Sequence, residues 1–206
     1  MSDRTPEQTA PRSSYHHGDL RAQLIRAVRD LVETHGPDGF SVAEAARRAG
    51  VSSAAPYKHF RDRPELLRAV ASEGMDRLRD AMQAAADRHP AGSFESIAAI
   101  GQAYADFART GPGVFRLVFG LTEGHEDDPE LEEKGLRCFS VVLQAVAAVL
   151  GKPAEDAGVR TRAYALWTCV HGHCFLTIDR KTTGKFEMAD EWAFLMQVST
   201  AILRDA

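Results

Sequence analysis

Strand signals are almost absent from this sequence. Alternating runs of β-branched residues do not occur, which argues against a sheet-based fold. No apolar run reaches the roughly 18 residues that a membrane span needs. Met1 to Ser14 is polar and lacks the apolar centre of a signal peptide. No membrane partner is therefore expected, the location is read as cytoplasmic, and residues 1–14 are read as a disordered arm. Cysteine is scarce: Cys138, Cys169 and Cys174 cannot all pair within one chain. Cys169 and Cys174 are five apart on an expected helix, face different ways and cannot bridge. All three are read as reduced thiols. Catalytic fingerprints are missing as well. There is no Gly-x-Ser-x-Gly elbow, phosphate loop, dinucleotide fingerprint or His-Glu-x-x-His, so neither an enzyme nor a cofactor is expected. Cys169, His171, His173 and Cys174 lie close in sequence, but only Cys169 and His173 share a helical face. Zinc needs four convergent ligands, so no metal is expected.

Positive charge is also short, at a formal net charge of −4. It is unevenly spread. Residues 1–63 hold 10 Lys/Arg against 8 Asp/Glu, while residues 64–206 hold 15 against 21. This asymmetry permits nucleic-acid binding by the front end and does not prove it. His16 and His17 lie at the same end, as phosphate or surface groups.

What the sequence has is helical periodicity nearly throughout. Leu20, Leu24, Ile25, Val28, Leu31 and Val32 form one face of a first helix, ended by Gly36-Pro-Asp-Gly39. Ser41-Val-Ala-Glu44 is a capping-box pattern opening a second, short helix that Gly50 breaks. Ser52 or Ser53 can cap a third helix running to about Phe60. Asp62 caps a fourth, with Pro64 in its first turn, that continues to about Arg88. Five more follow: Ser93 to Thr110, a short one through Phe115 and Phe119, Pro129 to Leu150, Ala154 to about Arg180, and Ala189 to Leu203. Glu123 to Asp128 is read as a solvated acidic loop and Lys181 to Gly184 as a turn. The fold class is all-α with about nine helices, and no internal repeat is present. The expected organisation is a DNA-binding domain over 15–62 and a larger helical domain over 63–206.

Residues 41–60 carry the functional signal. Two short helices meet at Ala49-Gly50-Val51-Ser52, the turn of a helix-turn-helix. Gly50 supplies the left-handed conformation and Val51 plugs the angle. The second helix would enter the major groove of double-stranded DNA by its first residues. Ser53, Ala54 and Ala55 are small enough for close approach to bases. Tyr57, Lys58 and His59 carry donors for phosphate oxygens. Pro56 is tolerated in a first turn, where its missing N–H would be unpaired anyway. Each assignment has a plainer rival: Tyr57 as packing, Lys58 as a solvated charge, His59 as a local cap.

The segment Gly50-Val-Ser-Ser-Ala-Ala-Pro-Tyr-Lys-His-Phe60, followed by Arg61-Asp-Arg-Pro-Glu-Leu-Leu67, resembles the signature of the TetR family of transcription regulators. Tyr15-His-His-Gly-Asp-Leu20 and Trp167-Thr-Cys-Val-His-Gly172 resemble one branch, whose C-terminal domain carries a Trp…His-Gly element. The resemblance implies a homodimer that binds a palindromic operator and releases it when a small-molecule effector enters the C-terminal domain. It implies that Ser41 faces a phosphate, that Ser53, Ala54 and Ala55 face bases, that Tyr57, Lys58 and His59 touch backbone, and that Phe60 is core; Ser52 is counted with the DNA-binding residues without a more exact role. The sequence departs from the family pattern at Ala54, where many relatives have Gly, and at Pro56, where Leu or Ile is common. Both departures blur which residue reads which base.

The C-terminal domain is apolar on many faces. Tyr104, Phe107, Phe115, Phe119, Phe139, Trp167, His171 and Cys174 are candidate ligand contacts in a cavity between helices, with plain core packing as the alternative for each. Leu117, Leu143 and Phe175 belong to the same apolar set. Trp167 and His171 are four apart and share a face. The last two helices are expected to form the dimer, with Trp192, Phe194, Leu195, Val198 and Ile202 as its apolar stripe. Two rivals to the ligand-released repressor remain: a ligand-responsive activator, and a dimeric small-molecule-binding protein without repressor action.

Overall fold

The computed structural model describes residues 17–120, 128–181 and 190–204. The expected arm at 1–14, His16, all but the last residue of the acidic loop, and the turn beyond Lys181 lie outside the described residues. Among those described, the structure is all-helical: α1 (His17–His35), α2 (Val42–Arg48), α3 (Arg63–Ala86), α4 (Phe94–Thr110), α5 (Pro112–Phe119), α6 (Pro129–Leu150), α7 (Ala157–Ile178) and α8 (Glu191–Leu203). Local chemistry explains most of the boundaries. Ser41, Asp62 and Ser93 each cap a helix, accepting from the N–H of Glu44 at 3.2 Å, Glu65 at 2.8 Å and Ser96 at 3.1 Å. Asp128 accepts from the N–H groups of Glu130 and Leu131 and so starts α6.

The turn after α2 is a Schellman motif. Gly50 has φ +72, its N–H bonds Arg47 O at 3.1 Å, and the Val51 N–H bonds Ala46 O at 3.0 Å. The third helix expected to run to Phe60 is, however, only a 3₁₀ turn, Pro56–Lys58, with no side-chain cap from Ser52 or Ser53. Pro56 bears on this: without an N–H it cannot bond Ser52 O, the first bond that an α-helix capped by Ser52 would make. The bonds Ala55 N–H to Ser52 O and Lys58 N–H to Ala55 O, three residues apart, tighten the segment instead.

Helix α3 forms the spine. It packs on α1, α4, α5 and α6, and one apolar core runs unbroken from Leu24 and Phe60 through Leu66, Val70 and Leu78 to Val146 and Leu203. Fully burying a leucine such as Leu66 or Leu78 contributes about 1.5–3 kcal/mol. Two polar clamps fasten the front of the molecule to the rest, one to this spine and one to α5. Arg63, the first residue of α3, donates to Pro37 O and lies over the Phe40 ring at 4.9 Å. Glu33 of α1 accepts from the N–H groups of Gly113 at 2.8 Å and Val114 at 2.9 Å, capping α5 from outside its own chain segment. Gly113 is required for that approach, because a Cβ there would fall 2.7 Å from Val32 O.

Two outcomes follow. Gly50→Ala should destabilise the protein by about 1–2 kcal/mol through backbone strain alone, because nothing lies within 4 Å of a Cβ at this position. Gly50→Asn should cost less, and urea midpoints measure both. Glu33→Ala strands two partly buried N–H groups and should cost about 1–3 kcal/mol. An unshifted urea midpoint would mean that water replaces the carboxylate at no loss.

Candidate nucleic-acid interface and ligand cavity

The helix-turn-helix presents its second half outward. Ser52, Ser53 and Ala54 are exposed, Ala55 is half-buried against the core, and Pro56 is buried beneath them. Tyr57 is 60% exposed although it is a large apolar ring, Lys58 is exposed and His59 is half-buried. Phe60 turns inward, only 3% exposed, with the Arg21 guanidinium 5.2 Å from its ring centroid. Ser41 is exposed at the start of α2. Its oxygen accepts from Glu44 and leaves the hydroxyl proton for an outside acceptor. The sequence reading passed over two cations beside this tip. Arg47 and Arg61 have side-chain exposures of 79% and 82% and make only loose or local pairs with Glu44 and Glu65. Their place next to the turn was the signal that could have found them.

A cavity of about 360 Å³ lies between α3, α4, α6 and α7. From the candidate ligand contacts it takes Tyr104, Phe119, Phe139 and Trp167 as wall. Phe115 is fully buried and His171 half-buried. Both stand behind that wall in one ring cluster, in which His171 lies 5.7 Å from Phe115, 5.0 Å from Phe119 and 5.5 Å from Trp167. Phe107 and Cys174 lie elsewhere. Phe107 borders a surface groove on the other flank of α4 with Arg77 over its ring, and Cys174 sits beside His173 and Glu191. Met75 and Met82 of α3, Leu136 and Val142 of α6, and Tyr164 of α7 also line the cavity, and the sequence reading did not pick them out for it. Met75 and Met82 are seven apart on one face of α3, a spacing that ordinary core packing shares.

The wall is electrically quiet. Trp167 Nε1–H donates to the Tyr104 hydroxyl at 3.3 Å, and that hydroxyl shares a 2.7 Å hydrogen bond with His171 Nδ1. Burial pushes the Tyr104 phenol up and the His171 imidazole down, so both are neutral near pH 7. Burial also pushes the Cys138 and Cys174 thiols up to about 12, which keeps them from acting as thiolate ligands or nucleophiles.

A charged network lies outside this cavity. Glu191 at the start of α8 accepts from Gln102 at 2.6 Å and Arg109 at 2.5 Å, and bonds His173 Nε2 at 2.8 Å. Burial alone would raise its carboxyl, and the bonds from His173, Arg109 and Gln102 outweigh that and hold it below its ordinary value. This network ties α8 to α4 and α7. On α8, Leu195 is buried within its own subunit, and Phe194, Val198 and Ile202 are half-buried against the core. Of the expected dimer stripe, only Trp192 remains exposed. On α7 an uncharged row faces outward: Tyr164, Thr168, Gly172 and Leu176.

Comparison with known proteins agrees with this architecture. Residues 24–70 match the family model described as bacterial regulatory proteins, tetR family. Residues 97–199 match the tetracyclin repressor-like C-terminal domain. The HTH-type transcriptional regulator Rv1816 of Mycobacterium tuberculosis is 29% identical over 144 residues, covering 69% of this chain. That match spans only 58% of the relative's own length. A protein of unknown function from Rhodococcus sp. RHA1 superposes with a TM-score of 0.77 at 29% identity, over 94% of this chain and 98% of that one. The transcriptional regulator FadR of Bacillus subtilis, in complex with stearoyl-CoA, superposes with a TM-score of 0.63 at 16% identity, over 90% and 98% of the two chains. With one model matched over half its length and a second over its helix-turn-helix, the chain belongs to the TetR family of bacterial regulatory proteins.

Proposed function

We propose that this protein is a homodimeric transcription regulator that holds palindromic double-stranded operator DNA by the exposed tip at Ser52–His59 and releases it when a small molecule fills the cavity. One observation carries the reading. Helix α3 begins beside the exposed tip, at the Asp62 cap and the Arg63 clamp, and the same helix supplies Met75 and Met82 to the cavity wall. A ligand that moves α3 therefore bears on the tip. Helix α5 offers a second route, since Phe119 lines the cavity while the start of that helix is held by Glu33 of α1. DNA and ligand then favour different spacings of the two tips, and each lowers the other's affinity by the same factor.

At the tip, Tyr57 and Lys58 serve phosphate oxygens, while Ser52, Ser53, Ala54 and Ala55 approach bases. Arg47 and Arg61 add backbone contacts that the motif alone did not suggest. The pair Trp167 and His171, joined through Tyr104, supports assigning the chain to the Trp…His-Gly branch of the family. The dimer is assigned to the outer row of α7 with Trp192 of α8. An exposed helix face that is uncharged from Tyr164 to Leu176 is what a two-fold mate would cover. In the Bacillus subtilis FadR complex a regulator of this fold takes up an acyl-CoA. A coenzyme's phosphates would need cations, and the wall of this cavity has none.

Footprinting the region upstream of the protein's own gene tests the whole reading. Two protected half-sites about one helical turn apart are expected. Protection over the promoter marks repression and protection upstream of it activation, whereas no protected region would remove the regulator reading. Tyr57→Ala and Lys58→Ala should each weaken binding across sequences, with Lys58→Ala lowering the salt slope by about 1. Unchanged affinity in both would clear the tip of a role. Gly172→Arg puts a charge on the α7 row where a Cβ meets nothing within 4 Å, so the monomer should fold normally. Sedimentation should then report one subunit's mass where the parent protein reports two.

A further inference from the structure

We propose that the cavity is a receptor for an uncharged aromatic molecule of about two fused rings. This rests on reading the cavity as the effector site, and it names the chemical class that site selects. Size comes first. A cavity of about 150 Å³ lined by aliphatic and aromatic carbon takes up one benzene ring, and this one holds about 360 Å³.

Charge comes second. Among the described residues, no Asp, Glu, Lys, Arg or His lines the cavity. Lys134, next in sequence to the lining Gly135, is already engaged by Asp76 at 2.6 Å and Ser72 Oγ at 2.5 Å. An anion or cation entering the cavity would lose its water and find no counter-charge.

Polar capacity comes third. The Tyr104 hydroxyl and the Trp167 indole N–H bond each other, with His171 closing the chain, and the one other hydroxyl on the described wall side chains is that of Tyr164, a residue 60% exposed in the single subunit. A ligand therefore gains little from hydrogen bonds and must bind by surface. That surface suits rings: Phe119, Phe139 and Trp167 offer edges and faces, and Met75 and Met82 offer sulfur to an aromatic edge. The approach is apolar too, because the lining residue Leu136, outside the α7 row assigned to the dimer, is 64% exposed.

Three probes of one shape and different charge separate the outcomes: 2-methylnaphthalene, 2-naphthoate and protonated 2-(aminomethyl)naphthalene, titrated calorimetrically into the full chain without DNA at pH 7. The neutral probe should bind tighter than either ion by about tenfold or more. Gly135→Leu locates the site. A Cβ at Gly135 meets only Met75 Cε, at 4.0 Å, so the larger side chain grows into open cavity space without a clash. It should weaken 2-methylnaphthalene by about tenfold or more while leaving the thermal midpoint unchanged or raised. Preference for either ion, no binding of the neutral probe, or full binding by Gly135→Leu each overturns the proposal. Operator binding is measured separately by gel shift without probe. Its loss would remove the regulator reading and leave the selectivity result intact, and retained operator binding with a preference for an ion would do the reverse.

Discussion

Helix α3 is buried along most of its length, from Leu66 through Val70, Met75 and Leu78 to Ala85, because neighbours pack on it from several sides. That constraint governs the rest of the molecule. A helix with this much apolar surface cannot stand free as a linker, so the helix-turn-helix segment and the helices that follow share one core. The same burial brings the inner side of α3 to the cavity. Met75 and Met82 occupy positions that would be plain core in a solid bundle, but here they face unfilled space. Methionine suits such a place, since its unbranched chain can follow a ligand's arrival or departure.

Coupling between the two ends needs contacts that hold in one arrangement and shift in another, not mere proximity. The clamps at Arg63 and Glu33 differ in what they join. Arg63 acts within the front end, fixing the loop between α1 and α2 to the start of α3. Glu33 acts between ends, since it holds the start of a helix whose last residue, Phe119, lines the cavity. Two charge-assisted bonds at a helix N-terminus favour one axial position of that helix. They hold α5 between the cavity on one side and α1 on the other.

Charge is kept apart from the cavity among the described residues. The ion pairs around Glu191 and Lys134 lie at helix edges, where they fix α8 to α4 and α7, and α6 to α3. Among the described residues the cavity is lined by neutral groups, and burial suppresses ionisation of Tyr104 and Cys138 in its wall. Specificity for a ligand is then a matter of shape and of rejecting charge.

The order and limits of most helices were legible in the sequence, because caps and breakers act locally. Ser41, Asp62, Ser93 and Gly50 do in the structure what their chemistry and spacing foretell. The helix-turn-helix and its outward-facing Tyr57 and Lys58 belong to that legible part. The exception nearby is Pro56, which lacks a donor and sits in a single 3₁₀ turn instead of the expected helix. The sequence could not say which aromatic residues meet empty space. Phe107 and Phe119 look alike in a periodic pattern, yet one borders a surface groove and the other the cavity. Nor could it foresee that Glu33 would cap a helix some 80 residues away, or that Leu195 would be buried within its own subunit. Helix starts and stops depend on neighbours within a turn or two and are written in local sequence. Voids, clamps and covered faces depend on how distant helices cross, and only the packed chain decides that.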